Sequence, residues 1–508
     1  MKMIKDRKER NGRWYRPAIS SAGLLLVAGC AVGPNFKKPG APDVSGYLAA
    51  PLTTTVSTTN LAGGESQRFV VGRDISGEWW TLFRSPSLNN LIGCSLTNNP
   101  DLKAAQAALS VAQENVLAHR GVFFPSVTAG FAASRQKQSE VLAPVPNFPT
   151  VPNQFLYNLF TPQVSVSYVP DVFGLNRRGA ESLAAQETGV RFQLIATYLT
   201  LSANVVVAAV QEAALRAQVD ATVELIGINS NMVEILRYQF AKGYASQLDV
   251  AGQESQLAQV AASLPPLRKQ LALQRDQLAV LAGKFPSQDL AEQFDLSNLQ
   301  LPQELPLSLP SQLVAQRPDV RQAEANLHAA SAQIGIAVAN RLPNITLSAN
   351  AGSTALDIEK VFSSGTGFWG VGAAATQPLF QGGTLLHEER AAKAAYVQAA
   401  EQYRSTVLTA FQNVADTLNA LEQDASALKT AATAEHAART TLDLTREQSR
   451  AGYANELALL NAEQTYQQAR INLVQAQANR FADTAALFQA LGGGWWHRTD
   501  LTKDTHEE

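Results

Sequence analysis

Residues 446–467 read REQSRAGYANELALLNAEQTYQ, and the way this stretch turns decides the fold. Helix-forming sequence enters and leaves it with a single break between. Gly452 stands where a helix C-terminus takes a left-handed residue, and Asn455 is placed to cap a second helix two residues before Leu457. The chain is predicted to reverse here. A second copy, RYQFAKGYASQLDVAGQESQLA, occupies residues 237–258, an offset of 209 residues. Arg237 matches Arg446, Gln239 matches Gln448, Gly243-Tyr244-Ala245 matches Gly452-Tyr453-Ala454, Leu248 matches Leu457, and Glu254 matches Glu463. Two matches at the same kind of helix break argue for an internal duplication.

Outward from each turn lies a proline-free helical segment, from about Asn176 to Ala241 and from about Thr384 to Ala451. At 1.5 Å rise per residue each reaches roughly 100 Å, more than a globular domain requires. Val407, Val414, Leu421 and Leu428 recur every seven residues, with Phe411, Leu418, Ala425 and Ala432 four later. That is a heptad seam, repeated by Leu194, Leu201, Ala208 and Leu215 in the first segment. Beyond the turns the return helices end at Leu281-Ala282-Gly283 and at Leu491-Gly492-Gly493-Gly494.

The halves also match upstream. Leu88 to His119 reads as an alanine-rich helix broken or capped at Asn99-Pro100-Asp101, and Arg317-Pro318-Asp319 opens its counterpart. After Pro125 and Pro343 the period becomes two. Val127, Ala129, Phe131 and Ala133 share one face; Val164, Val166 and Tyr168 alternate with Gln163, Ser165 and Ser167. Ile345, Leu347, Ala349 and Ala351 alternate with Asn344, Thr346, Ser348 and Asn350, and Trp369, Val371, Ala373 and Ala375 form a fourth segment. Each half thus carries one hairpin. Apolar-out, polar-in strands describe a water-filled transmembrane barrel, with a soluble sandwich as the alternative. Four strands cannot close a membrane barrel, so membrane strands here require several chains to share one.

Charged residues make up 17% of the chain and the net charge is −2, which leaves no basic field to hold nucleic acid. The N-terminus is a targeting segment, basic from Lys2 to Arg16 and then apolar from Ala18 to Ala28, too short to span a bilayer. It ends in Val27-Ala28-Gly29-Cys30, which looks like a lipobox that would place a covalent lipid on Cys30; an ordinary signal sequence is the alternative. Cys94 then has no partner and reads as a buried free thiol, or as a disulfide with Cys30 where that residue is not acylated. The six histidines lie far apart, with no metal-ligand spacing. Gly365-Thr366-Gly367-Phe368-Trp369-Gly370 fits a dinucleotide pattern but precedes a strand, so no helix N-terminus awaits a phosphate. No nucleophile elbow or paired-acid arrangement stands out, and no enzyme, cofactor or metal site is expected.

Cys30 followed by Ala31-Val32-Gly33-Pro34-Asn35-Phe36, the turn Gly243-Tyr244-Ala245-Ser246-Gln247-Leu248-Asp249, the strand exit Gln377-Pro378-Leu379-Phe380-Gln381-Gly382-Gly383 and the ending Leu491-Gly492-Gly493-Gly494-Trp495 occur in this order. Together they resemble the outer membrane efflux lipoprotein family, the exit ducts of tripartite pumps. The resemblance implies a homotrimer in which each chain gives four strands to one twelve-stranded barrel. It also implies a helical tunnel through the periplasm, a periplasmic adaptor and an inner-membrane pump as partners, and outer membrane lipid around the barrel. It assigns the closing constriction to the second tip, with Leu457 at the family's leucine and Asn461 where the family places an acid. Asp249 falls at an acid of the gate network, although Ser246-Gln247-Leu248-Asp249 is also a capping box.

The expected fold class is therefore an α+β membrane protein: a long α-helical coiled-coil barrel continuous with a shared transmembrane β-barrel, internally duplicated and trimeric. The expected order is a signal peptide (1–29), a lipidated tether (30–75), a first repeat (76–285, hairpin about 125–170), a linker (286–310), a second repeat (311–494, hairpin about 343–380) and a polar tail (495–508). The expected function is a passive outer membrane exit duct for small solutes, gated at the periplasmic helix tips. A protein-secretion duct of the same fold and a lipid-anchored structural coiled coil are the alternatives.

Overall fold

The computed structural model describes residues 31–58, 60–138, 155–288 and 290–498; Cys30 lies outside them. The described chain forms two compact units, each assembled from separated segments. The first takes residues up to Asn35 together with 118–181 and 332–392; the second takes 36–117, 182–331 and 393 onward.

The first unit is organised by a four-stranded antiparallel sheet of β2 (Ser126–Gln138), β3 (Phe155–Tyr168), β5 (Asn344–Ser353) and β6 (Gly367–Thr376), in the order β2-β3-β5-β6. Its register aligns the apolar sets of all four strands. Val127 pairs with Val166, Val166 with Ala349, and Ala349 with Val371; one step along, Ala129, Val164, Ala351 and Trp369 form the next row. The polar sets align on the other face, as in the row Thr128, Ser165, Asn350 and Gly370. A shift of one residue in any pair would mix the two faces. Among the described residues nothing covers the apolar face, and Val127, Trp369 and Val371 are all strongly exposed. Among the described residues, β2 and β6 have no further partner strand.

In the same unit the guanidinium of Arg178 donates to the carbonyls of Val32 and Gly33 and to Asn35 Oδ1, and the amide of Val32 donates to the Phe173 carbonyl at 3.0 Å. Gly33, at φ 90°, admits this path because a Cβ would lie 2.4 Å from the Gly335 Cα. The start of the expected tether is thus fixed in place by the Arg178 side chain and one backbone hydrogen bond.

The second unit contains most of the helical mass: α1 (Pro86–Asn98), α2 (Pro100–Arg120), α3 (Leu175–Ala241), α4 (Gln247–Leu281), α5 (Pro310–Gln316), α6 (Pro318–Ala339), α7 (Thr384–Arg450) and α8 (Glu456–Ala490). The division between units falls within α2, α3, α6 and α7. Asn99 separates α1 from α2 as expected, its Oδ1 accepting from the amides of Asp101 and Leu102. The heptad seams are buried: Val407, Val414, Leu421 and Leu428 on α7, and Leu194, Leu201, Ala208 and Leu215 on α3. Part of α3 is long and apolar enough to cross a membrane, but 67% of that window is buried inside the chain, which makes it a core helix. Trp79, Phe83, Tyr198, Phe481 and Phe488 form the aromatic centre, with Trp79 stacked on Phe488 at 5.2 Å.

Three features differ from expectation. A short parallel pair of strands, β1 (Arg68–Val71) and β4 (Glu304–Leu307), ties the N-terminal stretch to the middle of the chain, and Gln67 before it is fully buried. Composition hid this strand because its surroundings are rich in Thr, Ser and Gly. The expected polar tail begins too early, since Trp495 packs edge-on against Phe192 and donates from Nε1 to the Gln316 carbonyl at 2.6 Å. His497 bonds Asp74, and Gly494, at φ 71°, allows the approach: a Cβ there would lie 2.5 Å from two carbonyl oxygens. Cys94 is a free thiol but only half-buried.

Further along α7 and α8, Arg480 is almost wholly buried and donates to the carbonyls of Leu421, Gly63 and Glu65, pinning the N-terminal stretch. Beside it, burial pushes the Asp424 carboxyl up to about 7, reinforced by its hydrogen bond with Asp483 and opposed by Arg480.

Candidate functional site

Both helix turns form as the sequence requires. At the first, the amide of Tyr244 donates to the Gln239 carbonyl at 2.8 Å and that of Gly243 to Phe240 at 2.9 Å. At the second, Tyr453 donates to Gln448 at 2.8 Å and Gly452 to Ser449 at 3.0 Å. These are Schellman ends, and the glycines sit at φ 80° and 78°. No atom lies within 4 Å of a Cβ built on either glycine, so backbone conformation alone selects them.

The returning helices are capped differently. Ser246 and Asp249 form a reciprocal capping box: Ser246 Oγ accepts from the Asp249 amide at 3.2 Å, while Asp249 Oδ2 accepts from the Ser246 amide at 2.8 Å. Hydrogen bonds from the Ser246 side chain and then its backbone hold the Asp249 carboxyl below the usual carboxylate range. Asp249 thus directs its carboxylate to its own cap. At the second turn Asn455 Oδ1 accepts from the Ala458 amide at 2.9 Å. Leu457, 63% exposed, and Asn461, also exposed, stand one helical turn apart on α8.

Behind the turns, matching Arg–Glu pairs have diverged. Arg237 donates twice to Glu254 Oε1, at 2.6 and 3.0 Å, and Glu254 is 44% exposed. Arg446 reaches Glu463 only at 3.5 Å, and Glu463 is 2% exposed. Around Glu463 stand two fully buried amides: Gln253 Nε2 donates to Asn229 Oδ1 at 2.8 Å, and Asn229 Nδ2 donates to the Leu225 carbonyl at 2.9 Å. The Asn229 amide also favours the charged form of Glu463. Burial raises the Glu463 carboxyl above the usual range, with Arg446 and Asn229 opposing it. Periodicity does not single out this cluster, because a polar residue in an alanine-rich seam looks like a surface position until four helices are assembled. The available signal was the Arg–Glu spacing common to both turns.

A profile of the family described as outer membrane efflux protein matches residues 91–284 and again residues 309–493. The pyoverdine export outer membrane protein OpmQ of Pseudomonas aeruginosa is 30% identical over 482 residues, spanning 94% of this chain and 98% of the relative. The probable efflux pump outer membrane protein TtgC of Pseudomonas putida is 28% identical over 481 residues, spanning 94% and 95%. Among solved structures, the outer-membrane channel OprN matches with a TM-score of 0.79 at 26% identity, over 92% of this chain and all of that one. The outer membrane protein VceC of Vibrio cholerae matches at 0.75 and 26% identity, over 83% of this chain and all of that one. The long helices, the amphipathic hairpins and the twofold profile match have one account: this chain belongs to the outer membrane efflux protein family.

Proposed function

We propose that this protein is a passive exit duct, a homotrimer whose chains each contribute four strands to one transmembrane β-barrel and four long helices to a tunnel across the periplasm. The observation that carries the reading is the sheet's register. It gathers the apolar residues of four strands on one face and leaves both edge strands open, an arrangement that lipid tolerates only when further copies close the ring. The two profile matches support an internal duplication. The lipobox-like sequence at Cys30 supports a lipid anchor, and Ala31 onward is held beside the strand–helix junction.

The duct closes at its helix tips, with Leu457 and Asn461 as constriction residues and the turns at Gly243 and Gly452 as the structural ends. Asn461 supplies amides where a carboxylate ring would repel itself, so the closed end is held by packing and hydrogen bonds more than it is strained by charge. The duct consumes no energy; a periplasmic adaptor and an inner-membrane pump open it by binding a splayed arrangement of tips more tightly than the closed one. Exposed Tyr238, Phe240, Tyr244 and Leu248 give the first tip an apolar surface for such contact. The cargo is small solutes, and the duct needs neither metal nor cofactor beyond the lipid.

Single-channel conductance in a planar bilayer tests the proposal. Wild type is expected to conduct poorly, with Leu457→Ala and Asn461→Ala opening larger currents. Absence of channels from correctly assembled, lipidated protein would overturn the shared barrel, and unchanged currents in both variants would overturn the gate.

A further inference from the structure

The carboxyl of Glu463 sits where four helices meet, and its partners do not satisfy it. Its Oε1 is 3.5 Å from Arg446 Nη2, whereas Oε2 is buried with no hydrogen-bond partner. Across the cluster Gln253 Oε1 is likewise buried and unpartnered, although the same amide donates to Asn229. Two buried acceptor oxygens of the cluster are thus left without a hydrogen to accept. The surrounding charges do not make good the deficit. Among the described residues the charge set against the carboxyl is Arg446 of α7, which also lies 3.9 Å from the exposed Asp443; α3 and α4 present the neutral amides of Asn229 and Gln253.

Glu254, at the same place relative to its own glycine, is half-exposed and bonded twice by Arg237. Residues 209 positions beyond Asn229 and Gln253 are Ala438 and Ala462, so the buried amides exist on one side only. The α3–α4 pair supplies the amides and α8 supplies the acid.

We propose that Glu463 is a proton-binding site that couples pH to the packing of the α7–α8 turn against α3 and α4. As a neutral acid it contributes the missing donor and the four helices stay together; as a carboxylate it loosens them. The proton comes from bulk water and returns to it. Burial raises this carboxyl in the packed state relative to a solvated one, so packing binds the proton more tightly. The stabilisation is fully present below the solvated carboxylate value and is lost as pH rises through the packed-state value. This inference rests on the reading of the tips as the closing end, and it makes acid a closing signal.

Hydrogen exchange on the full-length protein in lipid nanodiscs, at pH 4 and 8 and corrected for intrinsic amide chemistry, tests it over residues 441–463. A local readout is needed because Asp424 also responds to pH on the same helices. Wild type is expected to lose severalfold protection at pH 8, Glu463→Gln to be pH-invariant, and Glu254→Gln to behave as wild type. Should Glu463→Gln fail to assemble, Glu463→Met supplies the same uncharged test. A pH-invariant wild type, or a response that survives in the uncharged variant, overturns the site. Conductance separates it from the gate: wider currents in Leu457→Ala with an unaltered exchange response in Glu463→Gln overturn the proton site and leave the gate standing.

Discussion

The two helix turns share a backbone and differ in electrostatics. Both end a long helix on a left-handed glycine with the same pair of hydrogen bonds, and both place an arginine and a glutamate at matching positions behind it. At the first turn the pair is solvated and well bonded; at the second the glutamate is buried and underbonded. A solvated pair contributes little to stability, whereas a buried one is sensitive to any change in either partner. Local geometry follows from glycine and cap residues, while the response of each tip is set by what the neighbouring helices bring to it.

The largest expected effect breaks this comparison directly. Glu463→Lys puts a second cation beside Arg446 in a buried site and is expected to cost about 3–5 kcal/mol. Glu254→Lys, beside the exposed Arg237, is expected to cost about 1 kcal/mol or less. Denaturant midpoints of the two purified variants measure the contrast, and equal losses would show that burial does not distinguish the turns.

Next in size is Asn229→Ala, which strips Gln253 Nε2 of its acceptor and Glu463 of an amide. A loss of about 1–3 kcal/mol is expected. A double-mutant cycle with Glu463→Gln is expected to be non-additive by about 1 kcal/mol, because the two side chains share one network. Additive losses would mean that Asn229 acts only through its own helix.

These sites also mark how far the sequence could be read. Heptads at Val407 to Leu428, strand alternation at Ile345 to Ala351 and the turns at Gly243 and Gly452 were legible because each depends on residues near one another in the chain. The register of β3 against β5 was not, since it joins Val164 to Ala351 across the whole of α3 and α4. Glu463 was visible only as a repeat match. Its burial depends on Asn229 and Gln253, more than 200 residues away, and no local pattern reports that. Trp495 was misread for the same reason: its partner Phe192 lies on another helix.

Gly243→Ala and Gly452→Ala are expected to lose similar amounts, about 1–2 kcal/mol each, for placing a Cβ in the left-handed region. Among the described residues nothing crowds either position. A markedly larger loss at Gly452, read as the denaturant midpoint of the assembled protein, would mean that a neighbouring protomer fills the space beside it.

The smallest effect sets the two turns against each other in sign. Asp249 is held below the usual carboxylate range by Ser246, so its contribution is present at neutral pH and is lost as pH falls through its folded value. Glu463 is raised by burial, so its contribution is present in acid and is lost as pH rises. Asn455, which caps the second turn, does not titrate. Acid should therefore weaken the first turn's cap slightly while tightening the packing behind the second. Exchange protection of residues 237–250 is expected to fall as pH drops below the ordinary aspartate value, whereas that of residues 441–463 falls as pH rises above the ordinary glutamate value. Ser246→Ala removes the box and its acid response at a cost of about 1 kcal/mol, and Asn455→Ala costs about as much with no pH dependence of its own. Parallel acid responses at both turns would mean that one global transition governs them, and that the divergence of Glu254 and Glu463 does not divide their labour.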